Sequence, residues 1–279
     1  MIVAVTSGKG GTGKTFISTG LALSLDIPLQ FLDCDVEEPN AYIFIKPEIK
    51  EREVVYLPKP IVEESRCIGC GECSRVCEYN AIAVVKKKVL IFYELCHSCG
   101  ACSLACPQKA IFEVDTEKGV LERGKKNNIE FWQGQLRVGE SSPTPLVKEL
   151  KRKIKEGGEV IIDTSPGTSC PVVEAVKDSD FSLLVTEPTP FGFHDLDLAV
   201  RMCEKLGVKM GVIINRSGEG EERIEEYCKE KKIPILEKIP LKREFAEAYS
   251  RGIPLMEVFP EYRERFISLW EKIREEVKR

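Results

Sequence analysis

Gly8 to Thr15 read GKGGTGKT, and the fold class follows from this stretch and what flanks it. An apolar strand, Ile2 to Val5, precedes it, and a helix is predicted over Lys14 to Leu25. In that strand, loop, helix context the residues fit the phosphate-loop pattern G-x-x-x-x-G-K-[ST]. Gly8, Gly10, Gly11 and Gly13 let the backbone curl around Thr12 so that successive N–H groups face phosphate oxygens, and the helix start adds partial positive charge. Lys14 is then placed to reach the β- and γ-phosphates of ATP, and the Thr15 hydroxyl to hold Mg²⁺. Lys9 is a second lysine that this pattern does not require.

The chain outside the loop reads as an open α/β sheet. PLQFL, Pro28 to Leu32, is a strand that delivers Asp33 and Asp35 at its C-terminal end, the edge at which such sheets bind ligands. EVIIDTSPG, Glu159 to Gly167, is a strand without alternation that ends in Asp163, as a parallel strand covered on both faces should be. FSLLVTEPTP and MGVIINR follow at strand–helix spacing, with helices expected to start near His194 and Glu219 and Asn215 at the end of the second strand.

With 279 residues, 43% of them hydrophobic, the chain can build one large α/β domain or two domains. No segment approaches the ~18 consecutive apolar residues of a membrane span. The first strand runs directly into the loop without a signal peptide, so a cytoplasmic protein is expected. A net charge of −4 argues against nucleic acid as the main partner. The C-terminal YRERFISLWEKIREEVKR carries one apolar stripe, Tyr262, Phe266, Trp270, Ile273 and Val277. Its polar face mixes Glu with Lys and Arg, which favours packing on the sheet over a membrane.

Eight of the twelve cysteines fall between Cys67 and Cys106, in two runs of the form C-x2-C-x2-C-x3-C. CEYNAIAVV after the first run parallels CPQKAIFEV after the second, an internal repeat in which a helical turn leads into a strand. Zinc sites use four ligands from two separated pairs and have no need of doubled triplets. The runs resemble the ligand pattern of the bacterial two-cluster ferredoxins. That resemblance implies a small α+β ferredoxin domain over about 60–115, inserted into an ATPase domain formed by 1–59 and 116–279. It also implies crossed ligation of two [4Fe-4S] clusters. Cluster I takes Cys67, Cys70, Cys73 and Cys106, and cluster II takes Cys96, Cys99, Cys102 and Cys77. The departure from the pattern is Glu78, where proline usually follows the fourth cysteine; Pro107 keeps it in the second run.

KGGTGKT, with its early lysine, resembles the deviant phosphate loop of the MinD/ParA ATPases, a group that includes the nitrogenase iron protein. The resemblance covers nearly the whole chain and implies a mostly parallel, doubly wound P-loop NTPase sheet. It implies that Lys9 reaches the partner subunit's nucleotide in a homodimer formed on ATP binding, so that hydrolysis depends on dimerisation. Asp35 then orients the attacking water, Asp33 is a supporting acid near Mg²⁺, Asp163 holds Mg²⁺, Gly167 senses the γ-phosphate, and Asn215 reads the adenine. Cys170 stands seven residues after Asp163, where the nitrogenase iron protein carries a ligand of its intersubunit cluster, but a second such ligand has no counterpart. Three functions are compatible with these features. They are an ATP-gated electron carrier with a redox partner protein, an iron–sulfur assembly or transfer factor with an acceptor protein, and a positioning ATPase with structural clusters.

Overall fold

A computed structural model describes residues 1–279. The strands are β1 (Ile2–Thr6), β2 (Leu29–Cys34), β3 (Glu48–Val62), β4 (Ile82–Val85), β5 (Lys88–Ile91), β6 (Ile111–Lys126), β7 (Ile129–Leu136), β8 (Glu159–Thr164), β9 (Phe181–Thr186), β10 (Lys209–Ser217) and β11 (Ile235–Pro240). Nine of them form one sheet in the order β11-β10-β9-β1-β8-β2-β7-β6-β3. From β11 to β7 every neighbouring pair is parallel, and β6 and β3 extend the sheet antiparallel.

The central strands are apolar on both faces because helices cover both. On one side Val3, Val5, Phe31 and Ile161 pack with Ile17 and Leu21 of the helix Lys14–Ser24 and with Phe266 and Trp270 of the C-terminal helix Glu261–Lys278. On the other, Ala4, Leu32 and Ile162 pack with residues of the helices Thr144–Lys151, Cys170–Val176 and Pro190–Leu206. Each large apolar side chain so enclosed contributes about 1.5–3 kcal/mol. The stripe read from the C-terminal sequence does face this core: Tyr262, Phe266, Trp270 and Ile273 are buried. Gly20 allows the approach, since a Cβ there would lie 2.6 Å from the Phe266 ring.

Two helix starts differ from expectation. The helix placed near His194 begins at Pro190, because Thr189 Oγ1 accepts from Gly192 N at 2.9 Å and proline suits a first helical turn. The one placed near Glu219 begins at Glu222.

The antiparallel extension determines where the cysteines lie. β7 pairs with β6 only over Gly119–Lys126, so residues 111–117 pair with β3 alone. β7 runs parallel to β2, whose C-terminal end carries Asp33, and Leu136 at the end of β7 is paired with Gly119. The unshared half of the β3–β6 ribbon therefore projects roughly 20 Å beyond the C-terminal edge of the parallel strands. At its tip, residues 63–110 hold the two cysteine runs, two short helices (Glu72–Arg75 and Ala101–Ala105) and the β4–β5 hairpin.

Candidate functional site

The C-terminal ends of β1, β2, β8, β9 and β10 bring the phosphate loop, Asp33 and Asp35, Asp163, Glu187 and Asn215 to one edge of the sheet. A cavity of about 380 Å³ opens there, lined by residues that include Lys9, Lys14, Thr15, Asp35, Asn215 and Tyr249. Gly10, Gly11, Thr12 and Gly13 line it too, while Gly8 stands in the loop between Ser7 and Lys9, which both line it. Gly13 has φ of 93°, a conformation that favours glycine, and a Cβ there would collide with the Asn215 amide. Asn215 Nδ2 donates to the Thr12 carbonyl at 2.7 Å, tying the end of β10 to the loop and leaving the second amide hydrogen for other use. Gly167 N donates to Ser7 O at 2.9 Å, so the segment after Asp163 is also attached to the loop.

The three acids differ in what they can do. Asp33 accepts from the backbone N–H groups of Asp35 at 3.1 Å, Asn40 at 3.1 Å and Ala41 at 3.0 Å. Both its oxygens help to fix the turn that presents Asp35. Burial, then the neighbouring Asp163, pushes the Asp33 pKa up to about 8. Asp35 lines the cavity, and burial, opposed by Lys14, pushes its pKa up to about 6. Asp163 is buried with no hydrogen-bond partner for either oxygen, and Lys14 Nζ lies 3.7 Å from Oδ1. Burial raises its pKa as well, with Lys14 the main opposing influence. An orphaned carboxylate near the Thr15 hydroxyl supplies the hard oxygen donors that Mg²⁺ takes.

At the tip of the ribbon the eight cysteines enclose two separate cavities. One is lined by Cys67, Cys70, Cys73 and Cys106, the other by Cys77, Cys96, Cys99 and Cys102. Each set thus draws three thiols from one run and the fourth from the other. No three of them close on a point that would hold a single metal ion. Backbone donors face the sulfurs with the repeat's symmetry: Ala81 N lies 3.3 Å from Cys77 Sγ and Ala110 N 3.2 Å from Cys106 Sγ. His97 lines the second cavity and stacks on Tyr79, with ring centroids 3.7 Å apart. Cys34, Cys203 and Cys228 are buried, and Cys170 is exposed, outside both sets.

A model of the CobQ/CobB/MinD/ParA nucleotide binding domain matches residues 3–255. The chain belongs to that family. It is 32% identical to an uncharacterised protein of Methanocaldococcus jannaschii over 90% of both chains. It is 27% identical to the iron-sulfur cluster carrier protein of the same organism, covering 99% of this chain and 84% of that one. Among solved structures, the septum site-determining protein MinD of Pyrococcus horikoshii with Mg-ADP aligns with a TM-score of 0.61 at 19% identity, covering 98% of this chain and 95% of that one. The fold is accordingly that of the MinD-like P-loop ATPases. No helix is long and apolar enough to cross a membrane.

In this family member the second lysine of the loop has a partner that the sequence reading did not single out. Lys9 Nζ lies 2.5 Å from Glu187 Oε1, and Glu187 Oε2 accepts from Arg216 Nη1 at 2.7 Å. Arg216 Nη2 also donates to the Gly11 carbonyl at 2.9 Å. Burial raises the Glu187 pKa, but Lys9 and Arg216 more than reverse this and hold the carboxyl below its ordinary range. The signal was present: Glu187 follows an apolar strand at the same sheet edge that drew attention to Asp35 and Asp163.

Proposed function

We propose that this chain is an ATP-hydrolysing iron–sulfur protein in which an ATP-dependent dimer switch is coupled to electron transfer through two [4Fe-4S] clusters. The observation that carries the reading is the pair of four-cysteine cavities, crossed between the runs, on a ribbon that projects from the nucleotide-binding edge of the sheet. The residues fit the groups. Cys67, Cys70, Cys73 and Cys106 would hold cluster I, and Cys96, Cys99, Cys102 and Cys77 cluster II, as thiolates in an inserted ferredoxin-like unit, with Cys73 and Cys102 buried and Cys70 and Cys99 at the surface. These clusters supply one-electron storage. Lys14 binds the β- and γ-phosphates, Thr15 and Asp163 hold Mg²⁺, Asp35 orients the attacking water, Asn215 faces the base, and Lys9 serves the partner's nucleotide. Anaerobically prepared protein is expected to contain about eight iron atoms per chain. Iron and zinc analysis checks this, and zinc, or about half that iron, overturns the ligand assignment.

Redox titration with and without nucleotide tests the coupling. The insert enters the chain between the Asp35 segment and the strand of Asp163, segments that respond to the γ-phosphate in P-loop ATPases. A coupling of ~1–3 kcal/mol corresponds to a shift of roughly 45–130 mV in at least one cluster between ATP- and ADP-bound forms, and reduction reciprocally changes ATP affinity. Potentials unmoved within about 20 mV by non-hydrolysable ATP defeat equilibrium coupling, on that same scale. A second reading, cluster delivery to an acceptor protein, draws support from the relative named as an iron-sulfur cluster carrier. Transfer of an intact cluster from this chain to an apo-acceptor would favour it.

A further inference from the structure

Six charged residues of the chain are buried as whole residues: Lys14, Asp33, Asp163, Glu187, Lys59 and Lys118. The first four belong to the nucleotide site. Lys59 and Lys118 lie instead at the base of the ribbon, where they share one carboxylate. Lys59 Nζ is 2.7 Å from Glu140 Oε1, and Lys118 Nζ is 3.2 Å from Glu140 Oε2, with the Glu140 side chain 8% exposed. Two ammonium groups against one carboxylate leave the group with a net charge of one positive unit. Burial raises the Glu140 pKa, but the two lysines outweigh it and hold the carboxyl below its ordinary range.

This triad is built against one cysteine set only. Lys118 is the extra residue of a β-bulge, where pairing steps from Val55–Gly119 to Tyr56–Glu117, and bulges re-aim a side chain. Its ammonium also donates to the Ser141 carbonyl, and Ser141 Oγ donates to the Cys96 carbonyl at 3.3 Å. Lys59 Nζ reaches the carbonyl of Tyr93 at 3.4 Å, three residues before Cys96. Pro60, next to Lys59, lines the cavity of Cys77, Cys96, Cys99 and Cys102. Neither cavity has a lysine, arginine, aspartate or glutamate in its own lining, but no buried charged side chain is bonded to the segments that carry Cys67, Cys70, Cys73 and Cys106. A buried charge is screened far less than the exposed lysines and glutamates elsewhere on the insert.

We infer that the Lys59–Glu140–Lys118 triad is the charge that positions and tunes the second cysteine set, making cluster II the more easily reduced of the two. This rests on the two-cluster reading above. Adding an electron makes a cluster more negative, and a fixed positive charge nearby favours that state. An electron shared between the clusters therefore rests on cluster II.

The test is redox titration, followed by electron paramagnetic resonance, of nucleotide-free, anaerobically prepared protein. Lys118→Met is placed in Cys96→Ser, which retains cluster I, and in Cys67→Ser, which retains cluster II. With cluster II alone, Lys118→Met should disfavour reduction about tenfold, a fall of about 59 mV for one electron. With cluster I alone the potential should not move, and Lys118→Arg, which keeps the charge, should restore cluster II. Lys59→Met removes the same net charge and serves if Lys118→Met does not fold. Clusters that load normally but shift together, or not at all, overturn the inference alone. Protein that loads no clusters overturns the two-cluster reading, and the inference with it.

Discussion

Lys14→Ala is expected to lower ATP affinity by roughly 10²–10⁴-fold, since in the proposed role the lysine would make charge-assisted hydrogen bonds of about 1.5–3 kcal/mol each to two phosphates. The side chain has little alternative use. Its ammonium is buried, 3.7 Å from Asp163, and no other lysine or arginine is buried beside Asp33, Asp35 and Asp163. Removing it leaves three acids around the place a polyanion must enter, so the loss of attraction is joined by uncovered repulsion. Lys14 is also the main influence holding down the pKa values of Asp35 and Asp163. In its absence both carboxyls move further toward the protonated form and become poorer partners for Mg²⁺. Calorimetric titration with a non-hydrolysable ATP analogue checks the affinity, with iron content as the control that the distant ribbon is intact. An affinity within about tenfold of the parent chain would contradict the assignment of Lys14 to two phosphates.

The parallel half of the sheet was legible because burial and chemistry coincide there. VIID, FLDCD and the run into the phosphate loop are apolar stretches that end in functional side chains, and the structure places them as β8, β2 and β1. β3, β6 and β7 carried no such signal. Residues 48–54 of β3 read EIKEREV, and every one of them is exposed on an edge strand, so neither alternation nor a continuous apolar run marks it. Its strand state is imposed by pairing with β6 across the whole length of the insert. The Lys59–Glu140 contact joins residues 81 positions apart, and in sequence each looks like one more surface charge. By contrast three thiols of each cysteine set are neighbours in sequence, while the fourth comes from the other run, and only the resemblance to the two-cluster ferredoxins pointed to that crossing.

Lys9→Ala is expected to bind ATP with near-parental affinity yet lose hydrolysis by roughly 10³-fold, the scale of a cation supplied in trans to a phosphoryl transition state. In the single chain Lys9 faces Glu187, its side chain 31% exposed, so it is neither locked in the loop's interior nor free in solvent. To serve a second subunit it must leave that carboxylate. The departure is inexpensive, because Arg216 remains on the other oxygen of Glu187 and prevents a buried charge from standing alone. Binding of ATP in cis would not need this movement, since in the proposed function Lys14 and the loop amides provide the phosphate contacts. The variant should therefore separate binding from turnover, whereas Lys14→Ala removes both. Sedimentation with non-hydrolysable ATP should find Lys9→Ala monomeric under conditions in which the parent chain dimerises. An unimpaired ATP-bound dimer in Lys9→Ala would refute the role in trans and reduce Lys9 to the local partner of Glu187.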